Sequence, residues 1–269
     1  MLKTRVLTVA ILLPLFIVAL FYFPVTVWAL FVALLALIAA WEWGGLAGWG
    51  AMARMAYVGL IAGCGVLLWQ FGYVDPRSGP MVYPVVLGVS LIFWMVLAPL
   101  WLARNWRIQS SVVLAVTGAI LLLPLWLALV RWQQKPMLLL MLMSIAWVSD
   151  TAAYLCGRRW GRRKLAVTIS PGKTWEGVFG AVVAVSAYYF ILQVTAPGLP
   201  VLLQGIAGFG LFLFSMVLGI EGDLFESWIK RTAGVKDSGS IFPGHGGALD
   251  RIDALTASMP PVTLLLLML

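Results

Sequence analysis

Asp223, Glu226, Ser227 and Lys230 recur at three- and four-residue spacing, so on a helix over 222–231 they share one arc. Leu224, Phe225, Trp228 and Ile229 take the opposite arc. A generic helix with that pattern would only present a solvated face carrying a Glu226–Lys230 pair. Further along, Asp250 and Asp253 stand one helical turn apart with Arg251 between them, which would suit any helix N-terminus. The stretch joining the two groups argues for more. Lys236-Asp237-Ser238-Gly239 and Pro243-Gly244-His245-Gly246-Gly247 are turn-rich, and their glycines let backbone N–H groups approach an anion. Carboxylates for a hard metal, cations for phosphates and glycine turns around both suit a nucleoside triphosphate held through Mg²⁺. His245 is the one histidine, in a setting too glycine-rich for a core role, so it contacts phosphate or base or shapes the turn.

A second polar tract, Ser170-Pro171-Gly172-Lys173-Thr174-Trp175-Glu176-Gly177, opens another apolar segment. Gly172-Lys173-Thr174 looks like the end of a P-loop, but that motif needs glycine where this chain has Val167. A lysine at a helix start beside hydroxyls still grips phosphate. The preceding Arg158-Arg159-Trp160-Gly161-Arg162-Arg163-Lys164 is densely basic, and its plainer reading is attraction to anionic lipid heads. Asp150 sits just before it, with Tyr154 one turn on. A carboxylate in or beside a membrane segment is costly, and so is a functional candidate by default.

What must position these groups is membrane. The 269 residues are 62% hydrophobic and 10% charged, against about a quarter charged in a soluble chain. A large soluble domain, a disordered tail and a disulfide-stapled secreted module are excluded, and Cys64 and Cys156 lie in or beside apolar runs. Apolar runs of membrane length fall at about 6–23, 25–43, 55–72, 82–101, 112–131, 137–156, 174–194, 201–219 and 254–269. The first imitates a signal peptide, but it is long and no small-residue cleavage site follows promptly, so it is kept as an uncleaved span. With nine spans the loops alternate sides, and 15 of the 18 Lys and Arg fall with the N-terminus against Arg77, Arg131 and Lys135 opposite. By the positive-inside rule the N-terminus is cytoplasmic. Of the acidic residues, Asp75 alone falls on the other side. The expected fold is therefore all-α and polytopic, with about nine transmembrane helices. An N-terminal membrane region spans 1–135, and a catalytic region spans 136–269 with cytoplasmic loops 157–173 and 220–253.

The pattern Ser227-x2-Lys230-Arg231-x4-Lys236-Asp237-x-Gly239-x3-Pro243-x-His245-Gly246-Gly247-x2-Asp250-Arg251-x-Asp253 resembles the C-terminal signature of the phosphatidate cytidylyltransferases, or CDP-diacylglycerol synthases. Asp150, the 170–177 segment and Trp41-Glu42 are similar to further features of that family, and Ala248 stands where the family usually has a larger apolar residue. The resemblance implies a homodimeric enzyme of the inner (cytoplasmic) membrane, its active site facing the cytoplasm. Its reaction would join CTP to phosphatidic acid, giving CDP-diacylglycerol and diphosphate, with membrane lipids as surroundings and no nucleic acid as partner. It also implies a metal site at Asp223 and Asp250 for Mg²⁺ paired with a monovalent cation such as K⁺. Asp223, Lys230, Arg231, Lys236, Asp237 and Asp253 would be catalytic. Asp150, Ser170, Lys173, Thr174, Glu176, Ser227, His245, Gly246, Gly247 and Arg251 would bind substrate.

The chemistry of the residues agrees. A phosphomonoester is largely dianionic at neutral pH, with a second pKa of about 6, and needs no strong base to attack phosphorus. What it needs is neutralisation of a polyanion and in-line positioning. A transporter is the rival class, since intramembrane carboxylates also mark ion paths. Here the acidic groups gather at one side and form no ladder across the bilayer. An enzyme acting on an isoprenoid or polyprenol phosphate is a second rival, because apolar spans do not encode chain preference readably. A lipid-binding scaffold leaves the carboxylates and glycine turns without a role.

Overall fold

In lipid every backbone N–H and C=O must find an internal partner, so long apolar runs become helices. The computed structural model describes residues 2–72, 82–196, 198–242, 244 and 246–268, with side chains from Ala10 onward except Phe71 and Gly72. Its helices are α1 (Leu2–Tyr22), α2 (Val25–Leu46), α3 (Ala51–Gly72), α4 (Val82–Ile92), α5 (Ala98–Ala103), α6 (Ser111–Trp132), α7 (Pro136–Trp160), α8 (Trp175–Thr195), α9 (Gly205–Thr232) and α10 (Leu249–Met268). A π turn at Phe93–Leu97 makes α4 and α5 one rod, Val82–Ala103. Among the described residues eight helices are long and apolar enough to cross a bilayer, and α1 adds a shorter apolar stretch, Ala10–Tyr22. Each of the nine expected apolar runs is helical over most of its described length.

The polar loops are shorter than hydropathy suggests. The chain stays helical to Thr232 and to Trp160, because helical hydrogen bonding does not stop where the apolar run does. After Trp160 comes a small departure from all-α structure, an antiparallel hairpin of β1 (Lys164–Ala166) and β2 (Ser170–Thr174). Thr174 ends β2 and caps α8, its hydroxyl accepting from the Gly177 N–H at 3.2 Å.

Two buried clusters hold the bundle. Indoles stitch α2 to α6 in antiparallel register: Trp28 Nε1 donates to the Leu129 carbonyl (3.1 Å), Trp126 Nε1 to Ala29 (3.0 Å) and Trp43 Nε1 to Leu114 (2.8 Å). Each bond satisfies a ring N–H that lipid could not. A second cluster fixes the far end of α9. Phe225 is fully buried among Phe93, Trp94 and Trp101, with edge-to-face centroid distances of 5.4, 5.6 and 5.3 Å. Trp228 Nε1 donates to the Trp106 carbonyl at 2.9 Å. With its apolar arc locked there, α9 turns Asp223, Ser227 and Lys230 toward α7, α8 and α10.

Candidate active site

The C-terminal ends of α7 and α9, the β hairpin, the N-terminal turn of α8 and the start of α10 enclose one cavity of about 720 Å³. Its walls include Asp150, Ser170, Lys173, Thr174, Asp223, Ser227, Lys230, Arg231, Lys236, Asp237, Asp250, Arg251 and Asp253. Both polar tracts singled out in the sequence thus meet in one place. Lys173, from the hairpin, reaches across to α9 and pairs with Asp223 Oδ2 at 2.8 Å, while donating to the Ile220 carbonyl at 3.3 Å. Asp223 Oδ1 accepts from the Ser227 hydroxyl at 3.2 Å. Arg158 and Lys164 also line the wall, so the described lining carries seven Lys and Arg side chains against five Asp. That surplus suits a polyanion.

Asp250 is the most heavily ordered acid. Its Oδ1 takes the Lys230 ammonium at 2.6 Å, and its Oδ2 accepts from the Gly247 N–H (2.8 Å), the Ser238 N–H (3.0 Å) and the Ser238 hydroxyl (3.0 Å). Lys230 also pairs with Glu226 Oε2 at 2.8 Å. The Glu226–Lys230 pair is therefore not on a solvated face: Glu226 is 2% exposed, and its Oε1 lacks a partner among the described residues. Packing of Phe225 and Trp228 rotates the pair into the protein, which a helical wheel of α9 alone does not reveal.

Glu42, from the cytoplasmic end of the expected second span, belongs to this architecture though it stands outside the expected site set. It is 6% exposed. Its Oε1 accepts from the Ala248 N–H (3.0 Å), and its Oε2 from the Leu249 N–H (2.9 Å) and the Ser238 hydroxyl (3.1 Å). The same Ser238 hydroxyl lies between the Glu42 and Asp250 carboxylates, so α2 sets the loop that sets Asp250. Gly247 is required there, because a Cβ would collide with Glu42 Oε2 and Ser238 Oγ. Gly246 turns the chain with φ +81°, a conformation glycine adopts without penalty. A carboxylate at the end of an apolar span was the available signal for Glu42; its partners are some 200 residues away, as the 206-residue separation from Ala248 records.

Other expected residues are placed differently. Thr174 lines the cavity and also caps α8, its hydroxyl oxygen accepting there. Glu176 is not among the residues lining the cavity; its carboxylate accepts from the Arg162 N–H (3.0 Å) and the Arg163 N–H (3.2 Å), tying down the basic loop. Gly246 and Gly247 sit behind Asp250 rather than in the wall. His245 lies outside the described residues, as do Asp75 and Arg77.

The cavity wall offers hard oxygen donors in Asp150, Asp223, Asp237, Asp250 and Asp253. Asp150 lines the cavity with electrostatic reach to Asp223, Lys173 and Arg251, and Asp253 reaches Asp223 and Glu226. No three described His, Cys, Asp or Glu side chains close on one point. A metal here would complete its shell from phosphate oxygens and water, as Mg²⁺ at phosphoryl-transfer sites commonly does.

This geometry is matched by likeness to known proteins. The chain is 36% identical over 280 residues to the phosphatidate cytidylyltransferase of Pseudomonas aeruginosa, covering 99% of this chain and 97% of that one. It is 33% identical over 279 residues to that of Haemophilus influenzae, covering 97% and 96%. With the Brucella suis enzyme of the same name it shares 43% over 122 residues, 44% and 42% of the two chains. The sequence pattern described as the cytidylyltransferase family runs from residue 3 to residue 269, through every element that frames the cavity, and the chain belongs to that family.

Proposed function

We propose that the cavity joins CTP to phosphatidate, releasing diphosphate and leaving CDP-diacylglycerol in the membrane. An oxygen of the lipid phosphate attacks the α-phosphorus of CTP, forming the new P–O bond as the bond to the β,γ-diphosphate breaks. The nucleophile arrives as an anion, so the site needs charge neutralisation and alignment more than a base. In this reading Lys236, Arg231 and Arg158 supply cations for the triphosphate, and Lys173 and Arg251, which line the same cavity, serve the lipid phosphate. Lys230, clamped by Glu226 and Asp250, holds a fixed positive charge beside the leaving diphosphate. Asp223 and Asp250 would hold Mg²⁺, with K⁺ as the monovalent companion. When bound, the divalent ion neutralises phosphate charge and orients the reacting groups.

The observation that carries this reading is the Lys173–Asp223 pair, which closes two remote polar tracts around one cation-rich cavity that also contains Asp250. The positive-inside rule and the 15-to-3 division of Lys and Arg support a cytoplasmic orientation for the cavity, in the inner membrane. A homodimer is part of the same proposal. The direct test supplies purified protein in detergent with radiolabelled CTP, phosphatidate and Mg²⁺. Label should pass into the chloroform-extractable lipid with equimolar diphosphate release, and chelation should abolish it. Label that stays aqueous in the presence of Mg²⁺ overturns the reading.

A further inference from the structure

A smaller cavity, of about 360 Å³, shares Arg231 alone with the polar cavity described above. Its described lining is Asn105, Arg107, Thr168, Trp228, Arg231 and Thr232, which is two guanidiniums, two hydroxyls, an amide and an indole, with no carboxylate. Among the described residues neither arginine is ion-paired, and Arg231 makes only a long contact, its Nη1 donating to the Val235 carbonyl at 3.4 Å. The wall is nevertheless held firmly. Asn105 ends α5 in the left-handed region, φ +51°, with the Asn105 N–H bonded to the Leu102 carbonyl and the Trp106 N–H to the Trp101 carbonyl, each at 3.2 Å. The Trp106 carbonyl then accepts from the Trp101 and Trp228 indoles, both at 2.9 Å, which fixes the peptide carrying Arg107 against α9. Thr168 stands in the hairpin turn beside Ile169, which is buried in the same cluster as Trp228 and Ile229.

We propose that this cavity is a second anion site, one that takes a phosphate-bearing anion and receives the diphosphate leaving the first; it rests on the cytidylyltransferase reading above. The cavity lies at the carboxyl ends of α5 and α9, whose dipoles would each place about half a negative charge there. The last carbonyls of α9 are already taken, those of Ile229, Lys230 and Arg231 by the N–H groups of Ala233, Val235 and Gly234. Two full guanidinium charges outweigh what remains, so the site selects an anion. Its shape then narrows the class. Trp228 is the one apolar body in the described wall and is 4% exposed, so nothing there receives an acyl chain and no free ring face stacks a nucleobase. What fits is a compact anion delivered by water, held without carboxylate-bound metal. Arg231 lines both cavities, and a guanidinium forks onto two phosphate oxygens at once. It can therefore keep hold of the diphosphate as that group clears the reacting centre.

The test measures binding of radiolabelled inorganic diphosphate to the full-length protein in detergent and EDTA. Arg107 touches the second cavity only, and its exposed side chain can be changed without disturbing the fold. Arg107→Ala should weaken one equivalent of diphosphate by at least about tenfold, the scale of a lost charged hydrogen bond. Arg107→Glu should remove that equivalent, and Arg107→Lys should keep part of its affinity. Initial rates without added diphosphate should match the wild type in all three. Full diphosphate binding in Arg107→Glu, or initial rates that fall along with binding, would overturn a separate site. Dihexanoyl phosphatidylglycerol, a soluble lipid phosphate, should leave the equivalent in place; displacement at equal concentration would give the cavity to a lipid headgroup and overturn the diphosphate assignment. An Arg107-dependent equivalent in a wild-type protein that transfers no label from CTP to lipid would uphold the anion site and overturn the reaction instead.

Discussion

At the scale of single residues, the site is a chain of acids and cations in which each fixes the next. Glu42 orders Ser238 and the start of α10, Ser238 and Gly247 order Asp250, and Asp250 with Glu226 clamps Lys230. Asp250→Asn keeps the volume but removes the charge that pairs with Lys230 and that the proposed metal would need. CTP incorporation into lipid should fall by at least about a hundredfold, the scale of losing one electrostatic stabiliser of a transition state; near-normal turnover would remove Asp250 from the mechanism. Glu42 acts through the loop and touches no reacting atom in this arrangement, so it is a positioning residue. Glu42→Ala strands the Ala248 and Leu249 N–H groups, at about 1–3 kcal/mol for each buried donor left unmade. Its thermal midpoint and kcat should fall together, and Glu42→Gln, which retains one acceptor oxygen, should recover part of both. An unchanged melting curve for Glu42→Ala would refute that linkage.

At the scale of elements, the site depends on how closely α9 approaches α10 and on how firmly α9 is rotated. A Cβ on Gly222 would press into the Asp253 carbonyl oxygen at 2.5 Å and the Ala257 Cβ at 2.8 Å, so no other residue fits the crossing without a shift. Gly222→Val should separate Asp223 from Asp253 and abolish activity while the protein still inserts in the membrane; full activity would mean the crossing tolerates expansion. The aromatic socket around Phe225 sets the rotation. Phe225→Ala should cost about 3–5 kcal/mol of stability, as large-to-small changes in a packed core do, and loosen Lys230 from Asp250. Denaturation in mixed micelles would measure the first, and the KM for CTP the second. The amphipathic arcs of α9 were legible from spacing. Their inward rotation was not, because the partners that decide it, Phe93, Trp94, Trp101 and Trp106, lie more than a hundred residues earlier.

At the scale of the whole molecule, the acidic groups of the described residues gather at one end of an apolar bundle. The ends of α2, α7 and α9 converge there with the starts of α8 and α10 and with the loops 161–174 and 233–248, and together they carry nine of the ten Asp and Glu. A phosphoryl-transfer site on a lipid must sit at such an end, where water delivers nucleotide and bilayer delivers lipid. The proposed cytoplasmic orientation predicts a labelling pattern in sealed inverted and right-side-out vesicles. After Cys64 and Cys156 are replaced by serine, a single cysteine at Ala233 should react from the cytoplasmic side, and one at Leu199 from the other. The reverse pattern would place the N-terminus outside.

Hydropathy, charge asymmetry and motif spacing determined that the chain is a polytopic helical membrane protein, where its helices run and which two polar tracts frame its candidate site. Those properties are local, since lipid forces each apolar run into a helix whatever its neighbours and glycine turns bend where they stand. Only the tertiary structure decided that Lys173 meets Asp223, that Glu42 reaches from the second helix to the Ser238 hydroxyl that also holds Asp250, and that Thr174 caps α8 while Glu176 anchors the basic loop. Contacts between residues so remote in sequence depend on the rotation and crossing of packed helices. That packing is a joint property of many side chains, which no single segment contains.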